Sequence, residues 1–145
     1  MTTLSLNELV PILQLAIGPV ILISGVGLLL LTLTNRFGRL LDRARLLNRD
    51  HPTSPEISAD IQAQISILHR RAAILRLSII LGAITVALVP VLILVLFLSA
   101  LFKLEAGWLI VTLFCLGQVS LIGSMLAFIR DMNLALQAVR LEIGA

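Results

Sequence analysis

The sequence predicts an all-α integral membrane protein with three transmembrane helices, a cytoplasmic helical hairpin and a C-terminal cytoplasmic helix. It reads as a single membrane domain over residues 1–145. Three features carry this expectation. Hydrophobic residues make up 59% of the chain and charged residues only 13%, for a mean hydropathy of +1.07; a soluble domain carries about 25% charge. The charges sit in blocks, leaving residues 9–35, 77–102 and 106–129 without any. Each of those runs exceeds the roughly 20 residues a helix needs to cross a bilayer core. The segments between and after them repeat apolar residues every three or four positions, which is a helical period. An ordinary soluble globule, a disordered chain and a disulfide-stapled mini-protein are all excluded by these numbers.

The first span is expected at about 9–34. Pro11 and Pro19 fall in its outer half, and Pro19 removes a backbone donor, so a bend is expected there. Met1–Asn7 carries no positive charge and no small-residue cleavage site follows, so the run reads as a permanent span rather than a signal peptide. The second span is expected at about 77–102, with Pro90 near its middle, and the third at about 108–129. Lys103–Gly107 is short enough to join only antiparallel neighbours. Trp108 suits a headgroup-level anchor. Cys115, the single cysteine, reads as a small buried side chain.

The hairpin is expected at about 36–76. Its first arm repeats Phe37, Leu40, Ala44 and Leu47, and its second Ile61, Ile65, Leu68, Ala72 and Leu75. His51-Pro52-Thr53-Ser54-Pro55 separates them, with Ser54 as a cap and Pro55 at the first helical position. The C-terminal helix, about 130–143, continues with Met132, Leu136, Val139 and Ile143 after Ile129.

Orientation follows from the basic residues. Ten of the eleven Lys and Arg fall in the 36–76 loop or after the third span, leaving Lys103 alone on the other side. The positive-inside rule then places the amino terminus outside and the carboxyl terminus in the cytoplasm.

At about 100° per residue, Asn7, Gln14, Gly18, Gly25 and Thr32 share one stripe of the first span. Arg36, Arg39 and Arg43 continue it as a basic ladder. One reading is a packing seam, since small residues let membrane helices approach closely. The other is a pore wall repeated around a symmetric oligomer, lined by Gln14, Gly18, Gly25 and Thr32. Three spans cannot enclose a conduit alone, so a homo-oligomer with cyclic symmetry is expected. Glu8 and Glu105 would then form an outer acidic ring that concentrates cations.

On the third span Gly117, Ser120, Gly123, Ser124 and Ala127 form a small face suited to contact with the second. There Ser78 with Gly82, and Ala83 with Ala87, supply small pairs. Gln118 points away from that face and calls for an intramembrane polar contact.

No ionisable residue lies within a span, and no serine–histidine–acid group stands out, so no catalytic residues are expected and the chain does not read as an enzyme. His51 and His69 lack a third ligand nearby, so no metal and no cofactor are expected. Ser24-Gly25-Val26-Gly27 has no following lysine and is not a phosphate loop. The basic side also holds Asp42, Asp50, Glu56, Asp60, Asp131 and Glu142, an excess too modest for nucleic acid as a partner. The expected partners are the lipid bilayer and further copies of the chain; ions or a cytoplasmic protein are the others the sequence allows. The competing function is a membrane-anchored scaffold or accessory subunit that recruits a partner through its cytoplasmic helices.

Gly18-Pro19 through Ser24-Gly25, followed by Thr34-Asn35-Arg36-Phe37-Gly38-Arg39-Leu40-Leu41-Asp42-Arg43-Ala44-Arg45, resembles a family of short bacterial membrane proteins known as domain of unknown function 2721. The similarity of arrangement runs over nearly the whole chain: one span, a charged helical loop, a two-span hairpin and a short tail. The resemblance implies a bacterial cytoplasmic membrane location and this topology. It implies no activity and no catalytic residues.

Overall fold

A computed structural model describes residues 6–49 and 55–143, with side chains placed over 10–46 and 65–136. The fold over these residues is all-helical: α1 (Leu6–Arg49), α2 (Pro55–Phe102) and α3 (Gly107–Ile143). At about 1.5 Å per residue each helix is longer than the roughly 30 Å hydrocarbon core of a bilayer. All three contain a segment long and apolar enough to cross a membrane, Val10–Leu46, Ile65–Phe102 and Gly107–Leu136. The chain is a multi-pass membrane protein in contact with lipid.

The helices do not break where charge begins. α1 runs through Arg36 to Arg49 and through Pro11 and Pro19, and α2 runs from Pro55 through Arg76 and Pro90. Straight-chain and apolar residues on both sides of each boundary sustain one helical ladder. Pro55 opens α2, where its missing N–H costs nothing. His51 and Ser54 lie outside the described residues.

Two compact units divide the chain: Met1–Leu30 with Leu81–Ile122, and Leu31–Ile80 with Gly123–Ala145. In the first, Ala16 and Val26 of α1 and Val89 and Leu92 of α2 are buried. α2 and α3 meet there through small and hydroxyl residues. Ser120 donates Oγ–H to the Leu81 carbonyl at 2.8 Å. Thr85 Oγ1 lies 3.1 Å from its own helix's Leu81 carbonyl and 3.4 Å from that of Gly117 across the interface. These pairs run in opposite directions along the two helices, as the short connection requires.

That connection is a helix stop built on Lys103. The residue adopts φ 51°, and the Leu104 amide donates to the Ser99 carbonyl at 3.0 Å. This is the six-to-one bond of a left-handed helix cap, a place where glycine is the usual residue. The first bond of α3 follows at once, Ile110 N–H to Ala106 C=O at 3.1 Å.

In the second unit Leu33 and Leu40 of α1 and Leu68 and Leu75 of α2 are buried. Ser78 and Ser124 join α2 to α3 there, and both are fully buried.

Three expectations are corrected. The third-span small face does contact α2, and Ser78 and Gly82 are buried, but Ala83 and Ala87 are exposed. They sit roughly 100° or more around α2 from that seam. In the apolar seam expected along the tail, Ile129 and Leu136 are exposed and Met132 is half-buried, whereas Asp131 is buried at 1% exposure; the side chains of Val139 and Ile143 lie outside the described residues. Cys115 is exposed, because two residues before Gly117 places it on the opposite side of α3 from α2.

Candidate functional site

The residues singled out on α1 divide into two groups. Gln14, Gly18, Gly25 and Thr32 are all exposed. A methyl group added at Gly18, Gly25 or Gly27 would meet no atom of another helix within 4 Å. The stripe is therefore not used to pack α1 against the rest of its own chain. Gly18 borders a cavity of about 210 Å³ in the first unit, lined mostly by apolar groups such as Leu22, Val89 and Phe114, with buried Thr85 and half-buried Gln118 in its wall. Glu105 is exposed; the side chain of Glu8 lies outside the described residues, as does that of Asn7.

Arg36, Arg39 and Arg43 do converge. Spaced by three and four residues, they fall on one face of α1 and line a second cavity of about 260 Å³. Arg71 of α2 and Asp131 of α3 complete its charged lining, with Leu40, Leu68 and Leu75 as its apolar floor.

Asp131 organises this site. Arg71 donates from Nε to Oδ1 at 3.3 Å, and Arg36 Nη1 stands 3.6 Å from Oδ2. The second distance is an ion pair too long for a hydrogen bond, and Oδ2 accepts none from the described residues. Arg36 also lies over the Phe128 ring, 5.3 Å from its centroid, a cation–π contact that fixes the guanidinium plane. A carboxylate at this burial is tolerable only because two guanidinium groups face it.

Four arginines against one aspartate leave the lining with a formal charge of +3. Asp42, the acid closest to them on α1, is exposed and pairs with Arg45 at 4.0 Å; it is not part of the lining. The cavity is a concave basic surface with two of its arginines held in place.

Sequence reasoning places Arg36, Arg39 and Arg43 on one line but misses Arg71, Phe128 and Asp131. A signal was present. Ser124, Phe128, Asp131 and Ala135 follow one another at four, three and four residues, so the small face of α3, extended by its own period, arrives at Asp131. Likewise Arg71 lies seven residues before Ser78, on the α2 face that meets α3.

The sequence family described as "Protein of unknown function (DUF2721)" matches residues 16–141, which includes both cavities and the hydroxyl contacts between α2 and α3. No curated protein and no solved structure matches the chain. A match over nearly the full length, on an all-helical chain with three possible spans, carries the assignment: the chain belongs to the DUF2721 family.

Proposed function

We propose that this protein is a homo-oligomeric pore of the bacterial cytoplasmic membrane, with α1 of each copy facing the axis. The reading rests on one observation, the uncovered polar and small stripe of Gln14, Gly18, Gly25 and Thr32. Exposed glycines in hydrocarbon weaken a helix by about 1 kcal/mol each relative to alanine. That cost is offset when another helix packs on them or when polar groups beside them face water. Among the described residues, no atom of another helix comes within 4 Å of a Cβ placed at Gly18 or Gly25.

In this arrangement the amino terminus is outside and the carboxyl terminus is cytoplasmic, following the basic residues. Glu8 and Glu105 form the outer acidic ring, and the arginine cavity sits toward the cytoplasmic end. The function is non-catalytic and calls for no cofactor. Purified protein in planar bilayers is expected to give unitary currents that Gly25→Leu and Thr32→Leu alter. Silent bilayers containing a folded oligomer overturn the reading.

A scaffold is the second reading, favoured by exposed Leu46, Ile67 and Leu136 beyond the charge-free runs. It predicts a stoichiometric protein partner in native membranes that Leu136→Glu releases, whereas a self-only complex counts against it.

A further inference from the structure

We propose that the arginine cavity formed by Arg36, Arg39, Arg43 and Arg71 is a phosphate-binding site, with Asp131 as its positioning residue. This inference stands apart from the pore reading, since binding can be measured whether or not current flows.

The argument begins with the number of charges. A buried carboxylate needs one or two cations to stabilise it, yet four arginines border this cavity. Arg36 and Arg71 reach Asp131; Arg39 adds further positive charge to the same space, and Arg43 borders it. Like charges gathered on a concave, partly apolar wall raise the local positive potential and draw an anion in.

Geometry narrows the anion to an oxyanion with several acceptor oxygens. Guanidinium groups present forked donors that match phosphate oxygens two at a time. The Arg36 plane is held by Phe128 and the Arg71 plane by its bond to Asp131 Oδ1. Donors fixed before binding lose little freedom when a ligand arrives. A volume of about 260 Å³ holds a phosphate group and several waters, each water taking about 30 Å³.

Depth identifies the most available source. Arg36 is the first charge after the 9–35 run, Arg76 the last before 77–102, and Arg130 the first after 106–129. Arg43 lies about two turns, or about 10 Å, beyond Arg36 along α1. A headgroup layer is about 5–8 Å thick on each side of the core. The Arg36 end of the cavity is therefore level with the phosphates of one leaflet, where an anionic phospholipid headgroup reaches it directly, and its Arg43 end lies beyond that layer, where a soluble phosphate reaches it from water.

The full chain in a zwitterionic detergent provides both tests. One arm titrates inorganic phosphate by calorimetry at constant ionic strength. The other adds phosphatidylglycerol or phosphatidylcholine and counts retained lipids by native mass spectrometry. Arg39→Gln with Arg43→Gln leaves the Asp131 pairs intact and is expected to weaken binding at least tenfold. Arg70→Gln with Arg76→Gln removes the same charge from exposed positions outside the cavity and is expected to change binding less than twofold. Arg39→Gln alone serves if the cavity double variant does not fold, with an expected loss of at least threefold. Selective retention of phosphatidylglycerol supports the site with a headgroup as source, and saturable inorganic phosphate supports it with a soluble one. Equal losses in the two double variants, or no saturable binding of either probe, overturn it.

Discussion

Ser78 and Ser124 exchange hydrogen bonds across the α2–α3 interface: Ser78 Oγ–H donates to the Ser124 carbonyl at 2.7 Å, and Ser124 Oγ–H to the Ser78 carbonyl at 2.8 Å. Each hydroxyl has one proton, and both are used on backbone. The 3.3 Å approach of the two oxygens is therefore proximity rather than a third bond. This gives an unusual expectation for a pair in contact. Ser78→Ala and Ser124→Ala should each cost about 1 kcal/mol. Their effects should nearly add, with a coupling below about 0.5 kcal/mol, because each substitution leaves the partner's acceptor in place. A double-mutant cycle by thermal unfolding in micelles checks this, and a large coupling would contradict the bonding pattern.

Asp131→Ala leaves Arg36 and Arg71 facing each other without their shared carboxylate. Removal of one member of a buried ion pair costs about 3–5 kcal/mol. The Asp131 side chain is 1% exposed while the arginines are 29% and 21% exposed, so the lower end of that range is expected. Arg71→Ala should destabilise more than Arg36→Ala, since only Arg71 makes a hydrogen bond to the carboxylate. Midpoints of denaturant unfolding followed by circular dichroism would rank the three.

Arg36→Lys keeps the charge but loses the flat guanidinium over Phe128. We expect a loss of about 1 kcal/mol, the worth of a half-buried cation–π contact, between the exposed and desolvated limits. Phe128→Leu should produce a similar loss, and combining Arg36→Lys with Phe128→Leu should add little to either alone. Unfolding midpoints of the three variants test this directly.

Lys103→Gly is expected to stabilise the connection between α2 and α3. A non-glycine residue in the left-handed region carries about 1 kcal/mol of steric cost, which glycine does not. The shift should appear as a raised unfolding temperature with unchanged helix content.

Gly117→Ala should be tolerated despite the burial of Gly117. A Cβ there meets nothing within 4 Å, because the apolar cavity beside Gly18 and Phe114 receives it. Helix propensity favours alanine by about 1 kcal/mol. The variant is expected to be at least as stable as the parent, and a marked loss would show that the cavity closes around an occupant in the membrane.

Much of this molecule is legible in the chain. Charge-free runs of spanning length, a three-to-four residue apolar period and Pro55 at a helix start fix the all-helical, multi-pass character. Each is a local property, set by hydration and backbone sterics over one or two turns. The α2–α3 small face is equally legible, since Ser78, Gly82, Ser120 and Ser124 repeat on helical spacing. The inward face of the tail is not, because hydrophobicity does not set it. In a chain that lies in or near lipid, Ile129 and Leu136 lose nothing by exposure, whereas a carboxylate gains by turning toward cations.

Local sequence is enough to establish that helices form, where charge permits them to cross a bilayer, and that Arg36, Arg39 and Arg43 share a face. It is the packing of three helices that brings Arg71 and Asp131, sixty residues apart, to those arginines in one cavity. Periodicity assigns a residue to a face of its own helix; it does not choose which partner that face meets, or at what register. The register is set by the hydroxyl bonds of Ser78 and Ser124, which hold α3 against α2 and bring Asp131 level with Arg71 two turns away.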